Sequence, residues 1–200
     1  MMVRAPSFVG VILAAGESRR MGSDKALLPW RGRTFLEAAI ASLQPVTDMV
    51  LVVAGKNAEA LRPLVDAVGA SLIVNPAPER DQFSSLQVGL QEVLNRGRDT
   101  AFLTLVDRPA AEGATLQQLR QAYLESESRV WAVVPEYAGR HGHPIVFGRE
   151  MISALLHEPV ESNARAVEHA HREHILYLAV DDPLVAENID TPEEFQRIAE

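Results

Sequence analysis

Along the 200-residue chain, solid apolar runs rich in valine, isoleucine and leucine alternate with longer stretches whose apolar positions recur at helical spacing. The runs Val9–Ala14, Met49–Val53, Ser71–Val74, Ala101–Leu105, Val130–Val134 and Ile175–Ala179 read as strands. Thr34–Leu43, Ala58–Val68, Ser84–Asn95, Thr115–Glu125, Arg149–Leu156, Ala164–His171 and Pro192–Ala199 read as helices. Several strands lack polar alternation, as expected where both faces are covered. Strand–helix alternation of this kind predicts an open, mainly parallel sheet wrapped by helices. Two helix starts carry capping boxes: Thr34 with Glu37, and Thr191 with Glu194, where Pro192 takes the first helical position. Pro144, in "GRHGHPIVFG", suggests a loop entering a short edge strand, because proline is tolerated at strand starts and edges. No repeat, low-complexity tract or linker interrupts the pattern, so one domain over residues 1–200 is expected.

Composition narrows the classes. With 47% hydrophobic residues the chain can bury a sizeable core. Its formal charge of −8 argues against a general nucleic-acid binder but leaves room for a local cationic pocket. The absence of cysteine excludes disulfides, thiolate metal sites and a cysteine nucleophile. No apolar run reaches the roughly 20 residues that span a bilayer. Arg4 followed by Phe8–Ala15 imitates a signal peptide in outline. Its apolar core is short and a glycine-rich turn follows at once, so a cytoplasmic location is expected.

That turn, "LAAGESRRMGSDK", lies where ligands bind in open parallel sheets, beyond the carboxyl end of a strand. Ala14, Ala15 and Gly16 allow close approach to the backbone, and glycine permits turns that expose successive amides. Those amides, with Arg20 and Lys25, could surround phosphates. A Walker loop is excluded because Ser23 and Asp24 separate Gly22 from Lys25. A dinucleotide fingerprint is excluded as well: Glu17 and Ser18 follow Gly16, and the second strand ends in "VVAGKN" without its acid. Taken alone, the turn is either a phosphate cradle or a charged surface loop.

The stretch resembles the opening signature of small nucleotidyltransferases related to molybdenum-cofactor cytidylyltransferase, carried here by Leu13, Ala14, Ala15, Gly16, Ser18, Arg20, Met21, Gly22 and Lys25. The resemblance implies a three-layer α/β/α fold with a mainly parallel open sheet of the nucleotide-diphospho-sugar transferase (GT-A-like) type. It also implies transfer of NMP from an NTP to a phosphorylated acceptor, with release of pyrophosphate. Leu13, Ala14, Ala15, Gly16 and Lys25 would then bind nucleotide, with Arg20, Lys25 and Asp107 catalytic.

"NPAPERDQFSSLQVGL" matches the family's second segment through Asn75, Ser84, Ser85, Leu86 and Gly89. Ser84 and Ser85 open a helix there, so their hydroxyls and amides either face a base or ribose or simply cap the helix. Family members often have glycine where Asp81 stands. In "FLTLVDRP", Asp107 lies just past a buried strand and suits Mg²⁺, which takes one or two carboxylates and completes its shell with phosphates and water. A helix-capping role for Asp107 is the alternative. The common family form is Gly-Asp-x-Pro, and Val106 replaces that glycine.

"NIDTPEEF" resembles the closing motif, which makes Asp190 the second metal carboxylate unless it merely precedes the Thr191 cap. Gly142, His143 and Pro144 match a Gly-His-Pro segment near the acceptor side, so His143 either contacts an acceptor phosphate or is structural. Arg140 and His141 add positive charge beside it. His169, His171 and His174 do not share a helix face, and no metal site is inferred from them.

The Ala-Ala-Gly form resembles the cytidylyl branch rather than the Ala-Gly-Gly of the guanylyl branch, which favours CTP. The resemblance thus implies an NTP, Mg²⁺ and a phosphorylated small molecule such as molybdopterin or a sugar phosphate; the charge and the short apolar runs lead to the expectation of no nucleic acid and no membrane. Two other readings stay open. One is a non-catalytic nucleotide-binding assembly factor with a molybdoenzyme partner. The other is a glycosyltransferase of related architecture, for which "DDP" at 181–183 is the nearest, poorly placed approach to Asp-x-Asp.

Overall fold

The computed structural model describes residues 6–16, 24–189, 191 and 194–196. The strands, in chain order, are β1 (Phe8–Ala14), β2 (Pro29–Trp30), β3 (Arg33–Thr34), β4 (Met49–Ala54), β5 (Ser71–Val74), β6 (Thr100–Leu105), β7 (Ala132–Tyr137), β8 (Arg140–His141), β9 (Ile145–Phe147) and β10 (Ile175–Ala179). The helices are α1 (Phe35–Leu43), α2 (Ala58–Ala67), α3 (Gln82–Asn95), α4 (Gly113–Glu125), α5 (Arg149–His157) and α6 (Ala164–Ala170). The main sheet runs β10-β7-β9-β6-β1-β4-β5, with β8 added to β7, while β2 and β3 form a separate hairpin.

β1 shows why the apolar runs lacked alternation. Phe8, Ile12 and Ala14 enter one apolar layer, and Val9, Val11 and Leu13 the other. The first layer receives Leu36 of α1, Leu61 of α2 and Leu116 of α4. The second receives Leu90 of α3, Ile152 of α5 and Val167 of α6. The fold is therefore the expected α/β/α arrangement. Gly89 permits the close fit of α3, because a Cβ there would stand 2.8 Å from Val11 Cγ1 and 3.0 Å from Val53 Cγ2.

β1 pairs in parallel with both β4 and β6. The chain leaves β1 toward β4 and leaves β6 toward β7, so the two adjacent strands depart in opposite directions. Such a switch opens a crevice at the carboxyl ends of the strands.

Three sequence expectations need correction. β9 is no edge strand: it lies between β6 and β7, antiparallel to both. Pro144 precedes it, so the missing N–H removes no ladder bond within Ile145–Phe147. β7 starts later than expected and continues past Pro135. Pro135 sits where β7 changes partner, between the Val133–Val146 and Glu136–His141 pairs, and no ladder donor is needed there. Finally, α3 starts at Gln82, ahead of Ser84, because the Asp81 carboxylate accepts the Phe83 amide at 2.7 Å.

The capping box of α1 is present in full, with Thr34 N donating to Glu37 Oε2 at 2.7 Å and Glu37 N to Thr34 Oγ1 at 3.2 Å. Thr191 and Glu194 make the same reciprocal pair at 3.1 and 3.3 Å. Of the expected closing helix, residues 194–196 are helical and the remainder lies outside the described residues. A third apolar cluster of Trp30, Phe35 and Ile189, joined by Phe195, fastens this closing segment to the β2–β3 hairpin and the start of α1. Among the described residues no helix is long and apolar enough to cross a membrane.

Candidate functional site

At the β1–β6 crevice, Val106 N donates to Leu13 O at 3.0 Å, which sets Asp107 just beyond the strand ends. Lys25 Nζ lies 3.7 Å from Asp107 Oδ2, with the two side chains 13% and 26% exposed. Lys25 opens a short 3-10 turn that Asp24 caps by accepting from Ala26 N at 3.0 Å. Asp107 is not a helix cap, since α4 begins only at Gly113 with Glu112 at its N-cap. Arg20 and the signature residues Ser18, Met21 and Gly22 lie outside the described residues, as does Asp190.

Leu13 and Ala14 are buried and present their backbone, whereas Ala15 is half-buried and Gly16 exposed. Sequence reasoning missed the group that fixes both ends of this loop. Asn57 Nδ2 donates to Ala14 O at 2.9 Å and to Asp24 Oδ2 at 2.7 Å, while its Oδ1 accepts from Gly55 N at 3.1 Å. Its signal lay in "VVAGKN", a polar residue with both donor and acceptor just past a buried strand.

On the β5 side, Asn75 N donates to Ala54 O at 2.8 Å, and Ala54 is the register partner of Ala14. Asn75, Ser84 and Ser85 come together but turn inward. Asn75 Nδ2 donates to both serine hydroxyls at 2.9 Å, and Asn75 Oδ1 accepts from Ala77 N at 2.9 Å. Ser84 Oγ donates in turn to Asp81 O at 2.9 Å. The network braces the loop into α3; the serine hydroxyls are buried in it rather than open toward the crevice. Asp81, at φ 85° and ψ −175°, adopts backbone that suits glycine, which accounts for the glycine seen at this point in the resembling family.

On the other flank, antiparallel β9 brings its amino-terminal end, and so His143, to the same edge as Asp107. His143 N donates to Val185 O at 2.9 Å. A Cβ on Gly142 would collide with that carbonyl, so glycine is required for the approach. His143 retains some exposed surface, yet its Nδ1 is sealed from solvent and has no hydrogen-bond partner among the described residues. Its pKa is pushed down to about 3, first by loss of water around the ring and then by the positive charge of Arg108. The ring is therefore neutral at neutral pH.

Arg140 and His141 are directed to local partners. Arg140 donates to Ala186 O at 2.7 Å and lies 3.7 Å from Glu187 Oε1, while His141 pairs with Glu136 at 3.3 Å and stacks on Tyr177. Asp182 of the "DDP" stretch is fully buried and accepts from Glu112 N and Leu184 N, a structural use of both carboxylate oxygens. Farther away, His174 stacks on Trp131 with ring centroids 3.9 Å apart, and His171 lies against the same indole.

The donor set at the crevice fits a hard divalent cation that draws most of its shell from phosphate and water. It offers the Asp107 carboxylate, and among the described residues no group of three or more metal-ligating side chains forms a closed cage.

A family model described as "MobA-like NTP transferase domain" matches residues 10–165. The chain is 28% identical over 194 residues to a molybdenum cofactor guanylyltransferase of Xanthomonas euvesicatoria pv. vesicatoria, covering 96% of this chain and 94% of that one. It is 26% identical over 190 residues to the molybdenum cofactor cytidylyltransferase of Escherichia coli, covering 92% of each. Its fold matches a Mycobacterium tuberculosis protein, Rv0371C, crystallised in complex with manganese, with a TM-score of 0.78 and 28% identity, covering 96% of this chain and 98% of that one.

Proposed function

The chain belongs to the MobA-like NTP transferase domain family and is a nucleotidyltransferase; on that premise we propose that it transfers CMP from CTP to the phosphate of a small acceptor such as molybdopterin, with Mg²⁺ as its metal ion. The observation that carries this reading is the Lys25–Asp107 pair, 3.7 Å apart at the carboxyl ends of adjacent strands leaving in opposite directions. A cation and a carboxylate there match what a metal–triphosphate needs on its two sides.

An acceptor phosphate oxygen attacks the α-phosphorus of CTP. A new P–O bond forms as the bond to the β-phosphate bridging oxygen breaks, and pyrophosphate leaves with that electron pair. A phosphate monoester is largely ionised at neutral pH, so the protein need not remove a proton; its work is positioning and charge neutralisation. The amides of Ala15 and Gly16, with Arg20 and Lys25, hold the phosphates, and the two cations stabilise the departing pyrophosphate. Asp107 and Asp190 would hold Mg²⁺, which when bound neutralises and orients the phosphate oxygens. Asn75, Ser84 and Ser85 shape the wall beside the base, and His143 faces the acceptor. Ala15 in place of a second glycine supports CTP over GTP.

Pyrophosphate release measured with each of the four common NTPs, Mg²⁺ and molybdopterin tests the reading. The largest kcat/KM is expected with CTP. A larger value with GTP would overturn the base assignment, and no release with any NTP would overturn transfer to this acceptor.

A further inference from the structure

Arg108 follows Asp107 directly and acts on His143, at the start of β9. One of its terminal nitrogens donates to Glu187 O at 2.9 Å. Its Nε is buried with no hydrogen-bond partner, and no carboxylate pairs with the guanidinium among the described residues. Buried donors in folded proteins are nearly always satisfied, whereas Arg108 as a whole is only half-buried and carries one buried nitrogen without a partner. The Glu187 carbonyl supplies a dipole and no negative charge.

The nearby carboxylates face other cations: Asp107 lies 3.7 Å from Lys25 Nζ, and Glu187 lies 3.7 Å from Arg140. Ile189 N donates to Asp107 O at 3.0 Å, so the segment 187–189 is strapped across this end through its backbone. His143 Nδ1, within reach of the Arg108 field, is the second buried nitrogen here without a partner among the described residues. Two nitrogens without partners, one on a full positive charge, thus lie close enough for the Arg108 charge to act on the His143 ring. A guanidinium is a planar fork suited to two oxygens of a phosphate or carboxylate.

Resting on the nucleotidyltransferase reading above, we propose that Arg108 binds the phosphate of the acceptor substrate and sets the enzyme's preference for phosphorylated acceptors. The triphosphate lies on the opposite side of Asp107, where Lys25 and the turn after β1 supply its donors. Arg108 thereby fixes the attacking oxygen's group while Lys25 holds the leaving one. A strap that only needed a donor to Glu187 O could use a neutral side chain; the charge is what an anion requires.

The test uses the full chain with Mg²⁺ and saturating α,β-methylene CTP, which fills the nucleotide site without reacting. Inorganic phosphate is then titrated while the Arg108 Nε–Hε resonance is followed by NMR, assigned through its loss in Arg108→Gln. The resonance should move saturably. Phosphate affinity should fall on the order of tenfold or more in Arg108→Gln and less in Arg108→Lys, as expected for loss of charge-assisted hydrogen bonds. Analogue affinity should stay near that of the unaltered chain in both. In turnover assays Arg108→Lys should raise KM for the acceptor and leave KM for CTP unchanged. A resonance indifferent to phosphate, or equal rises in both KM values, would overturn the assignment while leaving nucleotide binding intact. Failure of the unaltered chain to bind the analogue would overturn the nucleotide reading itself, and this inference with it.

Discussion

At His143, loss of surrounding water and the Arg108 charge both oppose protonation and hold the folded-state pKa near 3, against an ordinary value of 6.5. Between those values the unfolded chain takes up a proton that the folded chain refuses. Stability present above pH 6.5 is therefore lost as pH falls toward 3, by up to about 1.4 kcal/mol per pH unit from this group. Urea denaturation of the unaltered chain and of His143→Gln at about pH 7 and pH 5 checks this; the variant should lose less on acidification, and equal losses would contradict it. Asp81 poses a second residue-scale question, because its carboxylate caps α3 while its backbone sits in a region that costs non-glycine residues about 1–3 kcal/mol. Glycine costs a cap only a few tenths of a kcal/mol, so strain should win. Asp81→Gly is predicted to raise stability by about 1 kcal/mol, and Asp81→Ala, which keeps the strain and loses the cap, to lower it by about the same amount. Matching denaturation midpoints for the two variants would show that strain is not the larger effect. Neither effect was legible in the sequence: a positive φ and an imidazole with one sealed nitrogen depend on what surrounds them, and "RDQFSS" and "HGHP" name only the residues.

Among the elements, those built from continuous apolar runs were plain from the sequence. β1, β4 and β6 have bounds within a residue or so of the reading, because burial on both faces demands such runs; β5 and β10, partly buried at the sheet edges, match through their apolar residues alone. The two-residue strands of the β2–β3 hairpin and β8 were not, since two residues carry no period, although Arg31–Gly32 and Ala138–Gly139 turn the chain with positive φ. β9 was misplaced at an edge because three apolar residues after a proline look the same wherever the sheet puts them. The glycine-rich turn was found by its residues, but its anchor was not. Asn57 joins the end of β1, the start of the 3-10 turn and the exit of β4 through one amide group. Asn57→Ala is predicted to lower CTP affinity on the order of tenfold and to speed amide exchange at Gly55, with calorimetric titration and hydrogen exchange as the measurements. Unchanged affinity would mean that the loop holds its shape without this clasp.

Across the whole molecule, the site is assembled from chain segments far apart in sequence, and sheet order does the assembling. β1 and β6 are neighbours only because the chain returns past β4 after α3, a crossover that no local pattern announces. The layered fold class could be read from alternation; the neighbour relations that set Lys25 beside Asp107 and Arg108 beside His143 could not. The closing segment adds a further tie, with Ile189 bonded to Asp107 O and packed against Trp30 and Phe35. A body with formal charge −8 thus carries cations, Lys25 and Arg108, on either side of one carboxylate. Under the proposed function, that carboxylate acts at the phosphates rather than holding the fold. Steady-state pyrophosphate release from CTP with Mg²⁺ and molybdopterin, compared between the unaltered chain and Asp107→Asn, tests it most directly. The predicted result is a fall in kcat on the order of 10²-fold or more at an almost unchanged Tm; near-normal Mg²⁺-dependent turnover in Asp107→Asn would contradict it.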